Sequence, residues 1–382
     1  MKIKNIISII ASAALLASLA GCQATGTTSV PTISINNDNT SNDNPAGEPA
    51  NDQPAESGEE SGDPNAESWV EITSKPENDP GVIADDGDLI GAVFVCSDGR
   101  GIPLFGGGSG NSYVSAINKV KSKVGSQVNV FSMIVPTAGS FYLPEDYSYA
   151  MADEWDCIQS INSRFVGIIP VDAYSALARH TNEEIFARTD HHWNQLGAYY
   201  AAETFVNTAQ ISVPFTPISD YERRDIEGYL GTLYASSEYD KNMGDHPETF
   251  TYYIPPNDFT TYYMNPEDTD FYTAPMFLKM DVSSSYSTFM GGDEKVVHVE
   301  TDVKNGRKLL IVKDSYPNAL VPCLTGSFQD IWTVDMRHLR KMEHFPHSIS
   351  EIVREQGITD VLFCMNTFSA VGEIAENLPY IT

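Results

Sequence analysis

The 382-residue sequence predicts an α/β fold built on a doubly wound, mostly parallel sheet. Three observations carry that expectation. From residue 89 onward, short runs that are apolar at every position alternate with stretches of helical periodicity. Strands apolar on both faces belong in a parallel sheet covered by helices on each side. The third observation is an interruption: residues 211–305 hold ten of the 19 tyrosines and read as an insertion of loops and short strands.

In chain order, residues 1–22 read as an export signal rather than as part of the fold. Lys2 and Lys4 precede an uncharged apolar stretch over residues 6–19, too short for a spanning helix. The stretch ends in Leu19-Ala20-Gly21-Cys22, which resembles a bacterial lipobox. Cys22 is therefore the expected lipidation site, and two or three acyl chains would anchor the protein to the bilayer. Residues 23–88 carry 15 acidic residues against one base, Lys75, among Asn, Pro, Gly and Ser. Such a segment self-repels and cannot bury a core, so it is expected to be a disordered acidic tether. Residues 89–382 are then the α/β domain.

The apolar runs within that domain fall at residues 89–95, 128–135, 165–170, 309–312, 331–334 and 360–365. Helical patterns lie at 112–123, 147–162, 195–208 and 348–356. The Tyr-rich insertion sits between the third and fourth runs and shows no helix. Its aromatic side chains suit either hairpin packing or contact with sugar rings. Four cysteines remain after Cys22, namely Cys96, Cys157, Cys323 and Cys364. They are scattered, with no framework spacing and no zinc pattern, so buried free thiols are expected.

Charge excludes some functions. A formal net charge of −29 argues against a nucleic-acid binder, which needs a basic face. No apolar run of about 20 residues follows the N-terminus, which excludes a polytopic membrane protein.

Ligands of doubly wound sheets sit beyond the carboxyl ends of the strands. Two segments fall there. In Lys313-Asp314-Ser315-Tyr316-Pro317, a strand gives way to a turn, and Pro317 suits the start of a helix. Ser315 is then either a helix cap or a nucleophile whose neighbouring amides could hold an oxyanion. In Asp190-His191-His192, side chains two apart share a side of an extended segment. Asp190 can fix the tautomer of His192 and leave its other nitrogen to take a proton from a hydroxyl. His191 should face away. A polar turn, or a metal site formed by these three residues, competes with that reading. Ser97, after the first run, is a rival nucleophile.

The two segments together complete a resemblance. Thr-Asp-His-His-Trp-Asn over residues 189–194 resembles the signature of the DHHW protein family. More broadly it is similar to the Asp-x-His-Trp motif of SGNH-hydrolase-like polysaccharide O-acetyltransferases of the alginate type. Further anchor points are residues 135–137, 228–234 and 335–338, and the similarity spans roughly residues 89–380. The resemblance implies an SGNH-like fold and a catalytic set of Asp190, His192 and Ser315, with Lys313 standing where many such enzymes have glycine. It implies a cell-surface glycan as acceptor and a membrane-embedded acyltransferase as acyl donor.

The resulting expectation is a lipid-anchored, extracytoplasmic O-acyltransferase, most simply an O-acetyltransferase, with no cofactor and no metal. Trp193 and Arg337 are its candidate substrate contacts. Alternatives are a carbohydrate acetylesterase, a non-catalytic glycan-binding surface lipoprotein, and a metal-dependent hydrolase.

Overall fold

A computed structural model describes residues 74–78, 83–91 and 93–382. The expected export signal with Cys22, and the part of the expected acidic tether up to residue 73, lie outside the described residues. Thirteen strands appear among the described residues: β1 (Gly87–Ile90), β2 (Val93–Cys96), β3 (Gly101–Pro103), β4 (Asn129–Val135), β5 (Ile169–Pro170), β6 (Glu222–Tyr229), β7 (Glu248–Ile254), β8 (Phe259–Met264), β9 (Phe271–Thr273), β10 (Val296–Thr301), β11 (Lys308–Lys313), β12 (Asp330–Asp335) and β13 (Asp360–Asn366).

Eight of them form one sheet in the order β5-β4-β13-β11-β12-β10-β8-β9. The pairs from β5 through β12 are parallel, and the pairs from β12 to β9 are antiparallel. β11, β12 and β13 are buried along nearly their whole length, as strands covered on both faces must be. Helix Asn111–Val124 packs with Ile349–Gln356, while Gln195–Thr208 packs with Ala173–Ala178 and Val321–Leu324. Ser348 and Glu351 close a capping box at the start of Ile349–Gln356, which fixes where that helix begins.

The structure departs from the sequence reading in five places. The first apolar run is not a core strand: it folds into the β1–β2 hairpin, which β3 extends to a separate three-stranded antiparallel sheet. Gly91 makes the turn at φ +59°, where a Cβ would also lie 2.6 Å from the Ser236 carbonyl oxygen. β1 begins at Gly87 and Lys75 pairs with Asp153, so ordered chain extends upstream of residue 89. The run at 165–170 supplies only the two-residue β5.

The helix expected over 147–162 is two elements. A 3-10 turn covers Glu145–Ala150, and Asp153 then caps Glu154–Asn162 by accepting from the Asp156 amide. The insertion holds two short helices, Thr232–Ser236 and Lys241–Gly244, and its β8, β9 and β10 continue the main sheet. Its tyrosines mostly pack. Tyr229, Tyr263 and Tyr286 are buried, and Tyr239 and Tyr272 are the exposed members.

Three of the four described cysteines are buried free thiols as expected, but Cys157 is half-buried. Burial pushes the Cys96 and Cys323 thiols up to about 12. No helix among the described residues is long and apolar enough to cross a membrane.

Candidate active site

β11 runs between β13 and β12, parallel to both, and ends at Lys313. The chain then turns through Asp314 and Ser315 into a single 3-10 turn, Tyr316–Asn318, with Pro317 in its first turn. Asp314 shapes the turn. Its buried carboxylate accepts from the Tyr316 amide at 2.9 Å and from the Asn366 amide, at the end of β13, at 3.1 Å. Residues 309–314 and 316–325 are buried and Ser315 alone is partly exposed. Ser315 is thus the one partly exposed residue of the turn.

The second segment is a tight loop rather than an extended strand. Phe186 and Trp193 bridge its base, where the Ala187 amide donates to the His192 carbonyl. The Asn194 amide donates to Ile185, and helix Gln195–Thr208 starts directly after. Gln195 fastens that helix to β7 through two side-chain bonds with Tyr253, at 2.9 and 2.6 Å. Glu248 of β7 accepts from the Arg188 and Thr189 amides and from the Thr189 hydroxyl.

At the loop's tip Asp190 Oδ1 accepts from the His192 amide at 3.0 Å and contacts His192 Nδ1 at 2.6 Å. His192 Nε2 lies 2.7 Å from Ser315 Oγ. The three side chains thus form one hydrogen-bonded chain from residues 123 apart in sequence. Asp190 Oδ2 accepts from the Thr232 amide and hydroxyl at 2.8 and 2.9 Å. Burial works against the Asp190 charge, but the His192 and His191 imidazoles and these donors outweigh it and hold the carboxyl well below the usual range. Thr232 reaches Asp190 because residue 231 is glycine: a Cβ there would sit 2.4 Å from the Asp190 Cβ. This gives residues 228–234 a physical reason to accompany the His-Asp segment.

His191 does not face away. The loop bends, so its ring lies 3.8 Å from the His192 ring and its Nδ1 meets the Thr232 hydroxyl at 2.6 Å. Trp193 is fully buried, and its indole donates to the Tyr316 carbonyl at 2.8 Å. It ties the two segments together and is not placed to meet a substrate. Tyr316 adds a second tie through its hydroxyl to the His191 carbonyl.

Arg337 is already neutralised. Its guanidinium contacts both Asp335 oxygens and pairs with Asp293 at 2.8 Å. Lys313 is buried 3.6 Å from the same Asp335, which explains how a lysine stands at a turn where glycine is common. Ser97 is exposed, and among the described residues no imidazole pairs with its hydroxyl. The amides after Ser315 are also occupied: Tyr316 N by Asp314, Asn318 N by the Ser315 carbonyl, and Pro317 has none. The Ser315 amide has no acceptor among the described residues.

Two groups of described residues bring three ligand-capable atoms within 4.8 Å of one another: Asp190, His191 and His192, and His298, Glu300 and Asp330. In the first, both Asp190 oxygens and the facing His nitrogens are engaged by protein partners as above. In the second, His298 bonds Asp330, Lys308 pairs with Asp330, and Tyr262 donates to Glu300.

The fold and site define a class: α/β proteins with a mostly parallel sheet that carry a partly exposed serine at the carboxyl end of a strand and an Asp–His loop beside it. Within that class the chain belongs to the DHHW protein family, whose sequence pattern it matches over residues 73–334. A crystal structure of a DHHW family protein from Eubacterium siraeum shares 48% identity and a TM-score of 0.72, covering 78% of this chain and 98% of its own. PatB1 from Bacillus cereus shares the fold at 20% identity and TM-score 0.59, covering 76% of this chain and 99% of its own. The same protein with a sulfonyl adduct aligns at 19% identity and TM-score 0.61, over 74% of this chain and 95% of its own. No curated protein matches the chain.

Tyr286, Tyr316 and Thr232 are the site residues that sequence reasoning missed. Thr232 lay inside an anchor segment already singled out. Tyr316 lay directly after Ser315 in the segment already singled out, and for Tyr286 no local pattern points to the site.

Proposed function

We propose that the protein is an extracytoplasmic O-acyltransferase, anchored by acylated Cys22, that acetylates a hydroxyl of a cell-surface glycan through Ser315, His192 and Asp190. The observation that supports this reading best is the unbroken chain of 2.6 and 2.7 Å contacts ending on the hydroxyl of a partly exposed serine.

In this mechanism His192 Nε2 takes the Ser315 proton while Oγ attacks the acyl carbonyl carbon of the donor. Asp190 holds the Nδ1–H tautomer and offsets the charge of the imidazolium. The Ser315 amide donates to the developing oxyanion. The donor's leaving group departs with the proton from His192, leaving an acyl ester on Ser315. A sugar hydroxyl then attacks that ester as His192 accepts its proton, and Ser315 Oγ recovers a proton on leaving. Acetyl-CoA is cytoplasmic, so the donor would be a membrane-embedded acyltransferase that delivers the acyl group outside, and a lipid anchor keeps the two together.

The test is a chromogenic acetyl ester offered to the full chain. A burst of one product equivalent followed by slow turnover supports a transferase lacking its acceptor. Fast steady turnover instead makes the protein an esterase. No turnover and no labelling by a sulfonyl fluoride leaves a glycan-binding lipoprotein and refutes the enzyme.

A further inference from the structure

One residue of the Tyr-rich insertion reaches both halves of the site. Tyr286 lies on the 3-10 turn Val282–Thr288, and its ring stacks on the His192 imidazole with centroids 3.7 Å apart and planes 8° from parallel. Its hydroxyl donates to the Tyr316 carbonyl at 2.7 Å and lies 3.3 Å from the Ser315 carbonyl. The ring is 7% exposed and is braced edge-on by Phe289 at 5.5 Å. A buried, braced phenol with its face on the base and its tip on the nucleophile's backbone has two separable effects.

We propose that Tyr286 is a positioning residue whose ring face stabilises His192 as the imidazolium and whose hydroxyl fixes the turn that carries Ser315. The proposal rests on the reading of His192 as the base. An aromatic face attracts a cation in contact with it, and more strongly where water is excluded. Imidazolium forms in each half of the acyl transfer, so the stack favours the charged intermediate over the resting base. Burial keeps the Tyr286 hydroxyl far above its ordinary pKa, so it remains a neutral donor. The insertion thereby becomes part of the catalytic apparatus rather than an appended groove.

Other groups also face His192. Asp190 and His191 come from its own loop, Ser315 and Tyr316 from the end of β11, and Asp293, paired with Arg337, from the segment before β10. Asp190 and Asp293 favour the cation and His191 opposes it. All of them remain when residue 286 is changed.

The experiment follows the rate at which phenylmethylsulfonyl fluoride modifies the full chain as a function of pH. In the parent protein the rate should rise through one midpoint as His192 loses its proton. Tyr286→Leu removes the ring, and the midpoint should fall by about 0.5 to 1 pH unit. Pentafluorophenylalanine at position 286 keeps the volume and inverts the ring's charge distribution, so it should lower the midpoint too, even if the leucine variant does not fold. Tyr286→Phe keeps the face and should keep the midpoint, with a rate loss of roughly tenfold from the missing hydroxyl. Unchanged midpoints in the leucine and pentafluoro variants of a protein that reacts normally would overturn the ring's role. An unchanged rate in Tyr286→Phe would overturn the hydroxyl's. A parent chain that does not react at all would remove His192's own role, and this proposal with it.

Discussion

Asp190→Asn removes one charge from the site while keeping its shape. Asp190 accepts from the His192 amide and faces its Nδ1 with one oxygen, and takes the Thr232 amide and hydroxyl with the other. An asparagine that keeps its oxygen toward His192 turns its amino group onto two Thr232 donors. The flipped rotamer instead donates to Nδ1 and forces the imidazole proton onto Nε2, where it can no longer accept from Ser315. Charge centres about 4 Å apart at an effective dielectric of 20 interact by about 4 kcal/mol. At about 1.4 kcal/mol per decade, the lost stabilisation of the imidazolium lowers kcat/KM roughly a thousandfold.

The assay is hydrolysis of a chromogenic acetyl ester by parent and variant, with circular dichroism to show that both are folded. Stability carries a second signature. The Asp190 carboxyl is lowered in the folded protein, so its stabilisation is present above the ordinary carboxylate value near about 4 and is lost as pH falls through the lower folded value. The variant should lack that part of the acid destabilisation. A folded Asp190→Asn protein within tenfold of the parent rate would refute the reasoning.

Three further outcomes follow from the same geometry. Ser315→Ala should abolish burst and steady turnover alike while leaving the melting temperature nearly unchanged, because the hydroxyl is partly exposed and its loss opens no cavity; residual turnover at the parent level would contradict it. Trp193→Phe removes the indole donor from the Tyr316 carbonyl, which keeps the Tyr286 hydroxyl, and the lost hydrogen bond should cost about 0.5–1.5 kcal/mol in denaturant unfolding, together with activity; a neutral melt would show that the tie is dispensable. Cys22→Ala should move the expressed protein from the membrane fraction to the soluble extracytoplasmic fraction, and continued membrane association would refute the anchor.

Much of the site was legible because its chemistry is local. Asp190 and His192 are two apart, and Ser315 follows an apolar run whose length marks a buried strand. Helices Gln195–Thr208 and Ile349–Gln356 fell where their periodicity put them. The misreadings have physical causes. The run at 89–95 is apolar throughout, and only the left-handed turn at Gly91 folds it back on itself. His191 was assigned to the far side by a rule for extended chain, whereas residues 188–192 bend around the Asp190 carboxylate.

Trp193 looked like an exposed aromatic beside a motif, but its place is decided by the carbonyl of Tyr316, far along the chain. Tyr286 was one tyrosine among ten in the insertion. Its role exists only once β10 and its neighbours join the main sheet and bring that turn over the imidazole. Composition favoured tyrosines as hairpin packing or sugar contacts and gave no way to single one out.

The most direct measurement is peptide mapping by mass spectrometry after brief treatment of the full chain with phenylmethylsulfonyl fluoride. One sulfonyl group on Ser315, absent when His192→Ala is treated in the same way, is the expected result. Label on Ser97, or equal labelling of Ser315 with and without the imidazole, would contradict the account.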